Sequence, residues 1–404
     1  MRVLMLGAGA IASRHDRPCP DLAVAELVAV GDVRRQAADA LGVEARHTDP
    51  DAPLAGASAD LTIVATRART TPLALGNRPE RTAGGRARVG YARSVAESTG
   101  LPTRTLGRTN LRVTRLGYGA MELRGEPRGR PIDDAQAASI LRAVLDSGIN
   151  YLDTSIDYGL SEERIGRFIG GRRAEFFLAS KCGCQVGYQP RSANDRPAHV
   201  FTRANVTAGV EQSLRRLGTD YLDVVQFHAS PAPAALEAEG GLAALLDLQR
   251  AGKVRFLGMS GTLPNLPAQI DMGVFDVFQI PYSALQREHE GLISQAAGAG
   301  AGTVVRGGAA RGALAPDKPG VDPLGAPEGS AQSRWDRAGL DDLLDGASRT
   351  EFVVRFTLSH PDVDTTIVGT VNPSHLAANV AAARKGPLPA DVYAEAKRRL
   401  TEAA

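Results

Sequence analysis

Eight short apolar runs, each followed by a stretch with helical periodicity, fill the chain from Leu106 onward and end near Met121, Thr154, Lys181, His228, Ser260, Tyr282, Arg306 and Thr370. Amphipathic patterns at residues 135–145, 203–217 and 242–250 lie between them, and another at 390–400 follows the last. Parallel strands need a crossover between neighbours, so strand and helix in strict alternation read as βα units. Eight such units close into a (β/α)8 TIM barrel, whose active sites gather at the carboxyl ends of the strands. The stretches 185–199 and 313–346, the second rich in Pro, Gly and Asp, are expected to be loops that shape a substrate pocket.

At 404 residues the chain exceeds the ~250 of one barrel, so a second part is expected before it. Apolar runs at residues 2–6, 27–30 and 61–65, with helical patterns between, read as a partial Rossmann-like βαβαβ segment over residues 1–72. Gly7, Gly9 and Ala12 form G-x-G-x-x-A after the first run, and Asp32 closes the second. Residues 73–102 lose periodicity and gather Arg78, Arg81, Arg86, Arg88 and Arg93, the pattern of a linker, which leaves the barrel at 103–404. Half a doubly wound sheet lacks the half that holds nicotinamide. A remnant of fusion, a docking or dimerisation module, and a second nucleotide site are the readings open for it, and the segment is expected to be dispensable for chemistry.

A net charge of +2 gives no electrostatic reason to expect a nucleic acid or an anionic membrane as partner. No apolar stretch reaches the ~18–20 residues of a membrane helix. Three cysteines, Cys19, Cys182 and Cys184, are an odd and sparse set that fits a reducing compartment, and the cytoplasm is the expected location. Cys182 and Cys184 flank Gly183 just after Lys181, with no further ligand nearby in the sequence, so no metal site is expected.

The polar residues that close the apolar runs form an ordered series: Asp153, Lys181, His228, Ser260, Gln279 and Arg306, with Tyr158 five residues beyond Asp153. A buried strand delivering one polar group to the barrel mouth, repeated six times, is the layout of a catalytic face.

These residues sit in motifs that resemble the aldo-keto reductase family: LDTSIDYGLSEERIG, ASKCG and VVQFHAS, preceded by TLGRTNLRVTRLGYGAM and followed by FLGMSG, FQIPYSAL and IVGTVNPSHLAANV. The likeness covers residues 103–404 and implies a nicotinamide-dependent oxidoreductase that acts on an aldehyde, ketone or sugar-like carbonyl, or the corresponding alcohol, as its small-molecule substrate. It implies that Asp153, Tyr158, Lys181 and His228 are catalytic. It further implies that Ser260, Gln279, Arg306, Gly307, Gly369, Thr370, Asn372, His375 and Asn379 hold NADP or NAD, Gln279 at the nicotinamide carboxamide. Residues 1–75, including His15 and Asp32, resemble the start of the glucose-fructose oxidoreductase and inositol dehydrogenase family.

Chemistry explains the grouping. Hydride arriving at a carbonyl carbon places charge on oxygen, so an acid is needed there. Tyr158 is the candidate, with Lys181 expected to lower its ordinary pKa of ~10, Asp153 to hold Lys181, and His228 to donate a hydrogen bond to the substrate oxygen. The chain departs from the family at Gly261, where Asn is usual, and at Arg306, where an aromatic residue stacks on the nicotinamide. A cation there favours the reduced, neutral ring. The usual basic residues for a 2'-phosphate are absent from residues 369–379, which argues against a strong preference for NADP. The rival reading is a catalytically silent, cofactor-binding regulatory or partner protein on the same barrel, against which intact Tyr158 and Lys181 argue. Substrate identity and oligomeric state are not written in these motifs.

Overall fold

Strands alternate with helices throughout the structure, a computed structural model that describes residues 100–314 and 330–403 and, before residue 100, only the backbone of three strands. The chain divides into two units at Tyr91 and Ala92. In the first, β1 (Arg2–Met5), β2 (Glu26–Val30) and β3 (Leu61–Ile63) pair in parallel in the order β2-β1-β3. Gly7, Gly9, Ala12 and Asp32 lie outside the described residues, and so do residues 73–99 of the expected linker, whereas Leu101 is buried in the barrel's outer core.

The second unit opens on an antiparallel hairpin, β4 (Thr103–Thr105) and β5 (Arg112–Thr114). Eight strands then form a closed, all-parallel barrel: β6 (Leu116–Gly119), β7 (Tyr151–Asp153), β8 (Phe177–Cys182), β9 (Leu222–Phe227), β10 (Val254–Ser260), β11 (Val277–Pro281), β12 (Gly302–Arg306) and β13 (Thr365–Val368). They neighbour one another in chain order, and β13 closes on β6 with Ile367 opposite Gly117. Every strand expected from the sequence is present, and the helix at Arg203–Leu217 has the expected bounds.

Two cores follow from the alternation. Leu152, Leu178, Val225, Leu257, Phe278 and Val305 face outward and join the helices in one buried cluster. Tyr151, Phe177, Ala179, Val224, Phe256, Val277, Val304 and Ile367 face inward in another, completed by Leu106, Leu111 and Val113 of the hairpin. The hairpin plugs the amino-terminal end of the barrel. Gly107, at φ +45°, is required there, because a Cβ would meet the Gly302 amide nitrogen at 2.1 Å.

One expectation fails locally. Residues 313–346 are not a continuous loop: the helix Ser330–Arg337 and a 3-10 turn at Leu340–Leu343 lie within them, while residues 315–329 are outside the described ones. Trp335 explains the helix, being fully buried edge-on against Phe352 with its indole N–H donating to Asp341 Oδ1 at 2.9 Å.

Because the barrel closes with its own plug and a continuous core, residues 100–404 prepared without those before them should fold alone, with a cooperative thermal transition by far-UV circular dichroism. A product that binds a hydrophobic dye and melts without a transition would contradict this closure.

Candidate active site

The alternation that fills the lower barrel with apolar side chains sets the next inward layer at its mouth. Two residues beyond the inward Tyr151, Ala179, Val224, Gly258, Val277 and Val304 stand Asp153, Lys181, Gln226, Ser260, Gln279 and Arg306. A strand's period of two returns each to the interior.

At the centre is a buried ion pair. Lys181 Nζ lies 2.5 Å from Asp153 Oδ1 and donates to the Thr154 carbonyl at 2.9 Å, with the side chains 1% and 2% exposed. Asp153 Oδ2 accepts from Gln226 Nε2 and from Gln279 Nε2, both at 2.8 Å. Burial alone disfavours the Lys181 ammonium, but Asp153 and Tyr158 outweigh it and the pKa rises, so the lysine is charged. Gln226 was missed in the sequence, where VVQFH drew attention to its histidine. The signal was present, since Gln226 lies two residues from Val224 and two from His228 on one face of the run.

Tyr158 is held by the loop after β7. Its backbone closes a turn with Ser155, Arg128 donates to the Asp157 carbonyl and carboxylate at 2.9 and 3.1 Å, and Leu160 N–H donates to the Arg124 carbonyl at 3.1 Å. Gly159 permits that approach: at φ +43° its Cβ would stand 2.3 Å from the Arg124 oxygen. Lys181 Nζ is 4.9 Å from the Tyr158 ring centroid, and the ring meets His228 edge-on at 6.2 Å. Contrary to expectation, the Tyr158 pKa is raised. Burial exceeds the lowering by Lys181, with Asp153 and Asp157 adding to the rise, so the hydroxyl keeps its proton at neutral pH.

His228 follows β9 directly. Its Nδ1 lies 3.1 Å from Cys184 Sγ and 3.6 Å from Asp157 Oδ1. Burial lowers its pKa to about 3, with Asp157 opposing and Lys181 and His199 contributing to the fall. The imidazole is neutral, and with Nδ1 turned to the thiol, Nε2 is the atom left to meet a ligand.

The residues assigned to the cofactor divide into two groups. Ser260 and Asn379 are buried without a side-chain hydrogen bond among the described residues, and Arg306 keeps a buried Nε with no partner. Burial lowers the Arg306 pKa, against which Tyr158 and Asp153 act. Gly307, at φ +76°, has open space where a Cβ would stand. These groups fit a polar ligand across β10, β12 and the helix Pro373–Lys385, with the Arg306 Nε the unpaired buried atom whose cost such a ligand would relieve. Others are engaged within the protein. Gln279 gives one N–H to Asp153, Thr370 accepts from the Tyr118 hydroxyl and the Asn372 amide, and Asn372 Oδ1 caps its helix at Ser374. A Cβ on Gly369 would press the Gly119 oxygen at 2.7 Å, and His375 is half-buried in the first turn of that helix.

A closed parallel barrel whose mouth gathers a lysine-carboxylate pair, a tyrosine and a neutral histidine is a TIM barrel with a candidate acid-base site. The model of the aldo/keto reductase family matches residues 115–399. Among curated proteins the chain is 28% identical over 293 residues to YqkF, an uncharacterized oxidoreductase of Bacillus subtilis (strain 168), covering 69% of this chain and 90% of that one. It is 27% identical over 302 residues to L-galactose dehydrogenase of Arabidopsis thaliana, covering 70% and 88%. Among solved structures, aldo-keto reductase AKR11C1 from Bacillus halodurans, in its holo form, superposes with a TM-score of 0.63 at 29% identity, covering 75% of this chain and 96% of that one. The chain belongs to the aldo-keto reductase family and is an NAD(P)H-dependent oxidoreductase. The family match begins at residue 115 and leaves the first unit outside it. No helix among the described residues is long and apolar enough to cross a membrane.

His228 should remain neutral from pH 5 to 8. Its imidazole nitrogen chemical shifts should be flat across that range, and a titration centred near the ordinary histidine value of ~6.5 would contradict the geometry.

Proposed function

We propose that the barrel reduces the carbonyl of a small aldehyde, ketone or sugar-like compound, with Tyr158 as proton donor. The observation that carries this is Tyr158 protonated at the barrel mouth between a charged Lys181 and a neutral His228. The nicotinamide, when bound, supplies the hydride. As charge grows on the substrate oxygen, the Tyr158 hydroxyl passes its proton there and Lys181 stabilises the phenolate left behind. Asp153 keeps Lys181 charged and aimed. His228 donates from Nε2 to the same oxygen and fixes its angle, since an N–H donor is strongest where charge develops.

Ser260, Arg306, Gly307 and Asn379 would hold the cofactor through their free groups, and Gln279 would meet the carboxamide with its carbonyl oxygen. Thr370, Gly369, Asn372 and His375 would border its adenosine end. Asn372 has spent its oxygen on the helix cap and Gly369 offers no side chain, so neither clamps a 2'-phosphate. NADP and NAD then bind on similar terms. The Rossmann-like reading of residues 1–72, the linker at 73–102 and a cytoplasmic location belong to the same proposal, with the amino-terminal unit taking no part in the chemistry. A silent binding protein would have no need of the Asp153-Lys181 pair.

Tyr158→Phe removes one hydroxyl and should cut kcat by at least ~10²-fold while leaving the dissociation constant of the reduced cofactor within a few-fold. Turnover is followed by nicotinamide absorbance over a panel of aldehydes, ketones and aldoses. Near-normal turnover in the variant would remove Tyr158 from the mechanism.

A further inference from the structure

A second constellation shares His228 with the proposed site and adds two residues, Cys184 and His199, that the reduction does not use. Cys184 Sγ, a nitrogen of His199 and a nitrogen of His228 lie within 4.8 Å of one another. They come from three places in the chain: just past β8, the returning stretch of the following loop, and just past β9. Residues from different elements meet this closely only when the backbone brings them together.

Here it does so by direct pairing. Cys184 and His199 face each other in an isolated antiparallel bridge, flanked by hydrogen bonds from Val200 N–H to the Gly183 carbonyl at 2.7 Å and from Gln185 N–H to the Ala198 carbonyl at 2.9 Å. His228 N–H donates to the Cys182 carbonyl at 3.0 Å, and Asn205 Nδ2 donates to the Cys184 carbonyl at 3.1 Å. The His199 ring stacks on Phe201 and stands edge-on to His228 with centroids 5.6 Å apart. The pairing fixes the backbones while the His199 side chain remains exposed.

The donor set is one thiol and two imidazoles, which suits zinc and other thiophilic divalent cations. Tetrahedral zinc holds nitrogen at about 2.0–2.1 Å and sulfur at about 2.3 Å, so its ligand atoms stand roughly 3.3–3.6 Å apart. From 3.1 Å between Cys184 Sγ and His228 Nδ1, the pair opens by about half an ångström while His199 closes in, a rotamer adjustment. Asp157 Oδ1, 3.6 Å from His228 Nδ1 and held by the Ser155 hydroxyl, adds negative charge beside the cluster.

We infer that Cys184, His199 and His228 form a binding site for a thiophilic divalent cation such as Zn2+ at the edge of the active site. The cation replaces the thiol proton, which leaves to solvent, and takes the Nδ1 lone pair of His228. Nε2 then carries the remaining ring proton. Its effect on turnover rests on the proposed reading of His228, whereas binding itself does not.

The test uses the full chain after treatment with a chelator. Titration with Co2+ should give a sulfur-to-metal charge-transfer band saturating at one ion per chain, and Zn2+ should displace it. Cys184→Ser should abolish the band, and His199→Gln should weaken Zn2+ affinity at least about tenfold while keeping metal-free turnover within about twofold. No band, or Zn2+ affinity unchanged in both variants, would overturn the site. Binding at these residues with kcat unaltered by Zn2+ would uphold the site, since Nε2 keeps the proton that the reduction uses.

Discussion

The mouth of this barrel is organised around one buried ion pair, Asp153 with Lys181. Taking two charges out of water costs several kcal/mol per ion, and the pair persists only where the remaining hydrogen-bonding capacity is met. Here Thr154 accepts from the ammonium, and Gln226 and Gln279 donate to the carboxylate. Four strands, β7, β8, β9 and β11, thereby place their ends on one carboxylate and its partner. Removing either charge would leave the other buried alone, a change that typically costs ~3–5 kcal/mol. The arrangement gives Tyr158 a fixed positive neighbour without exposing it to solvent, which would screen the charge.

Burial and charge then act in opposite senses on neighbouring groups. Desolvation raises Tyr158 and lowers His228, and in both it exceeds the nearby opposing charge. Both groups are left as neutral donors at neutral pH. On the proposed reading, both can offer protons to an oxygen as it becomes charged, and Lys181 would stabilise the phenolate left behind.

Much of this was legible in the sequence because it depends on period and order. A run such as FLASKC declares a strand, its inward face and the polar residue at its end, so the barrel and the positions of Asp153, Lys181 and Gln279 could be read directly. The helix Ser330–Arg337 was obscured by surrounding Pro, Gly and Asp, although Ala331 and Trp335, four residues apart, mark its buried face. The direction of the Tyr158 shift was not legible, because motif spacing identifies neighbours but not the depth of burial that outweighs them. Cys184 beside His199 was equally hidden: the two are partners through a bridge across a loop, and nothing in C-G-C announces the returning strand.

The central claim is that Lys181, held by Asp153, acts on the reacting proton through Tyr158. Substituting Lys181→Met keeps an unbranched side chain one atom shorter and removes the ammonium with its hydrogen bonds to Asp153 and Thr154. With protein shown to retain the native circular dichroism spectrum, kcat should fall at least ~10²-fold while the dissociation constant of the reduced cofactor changes by no more than a few-fold. A kcat within about threefold of the unsubstituted protein, some 0.65 kcal/mol of barrier, would show that the ion pair supports the barrel and not the chemistry.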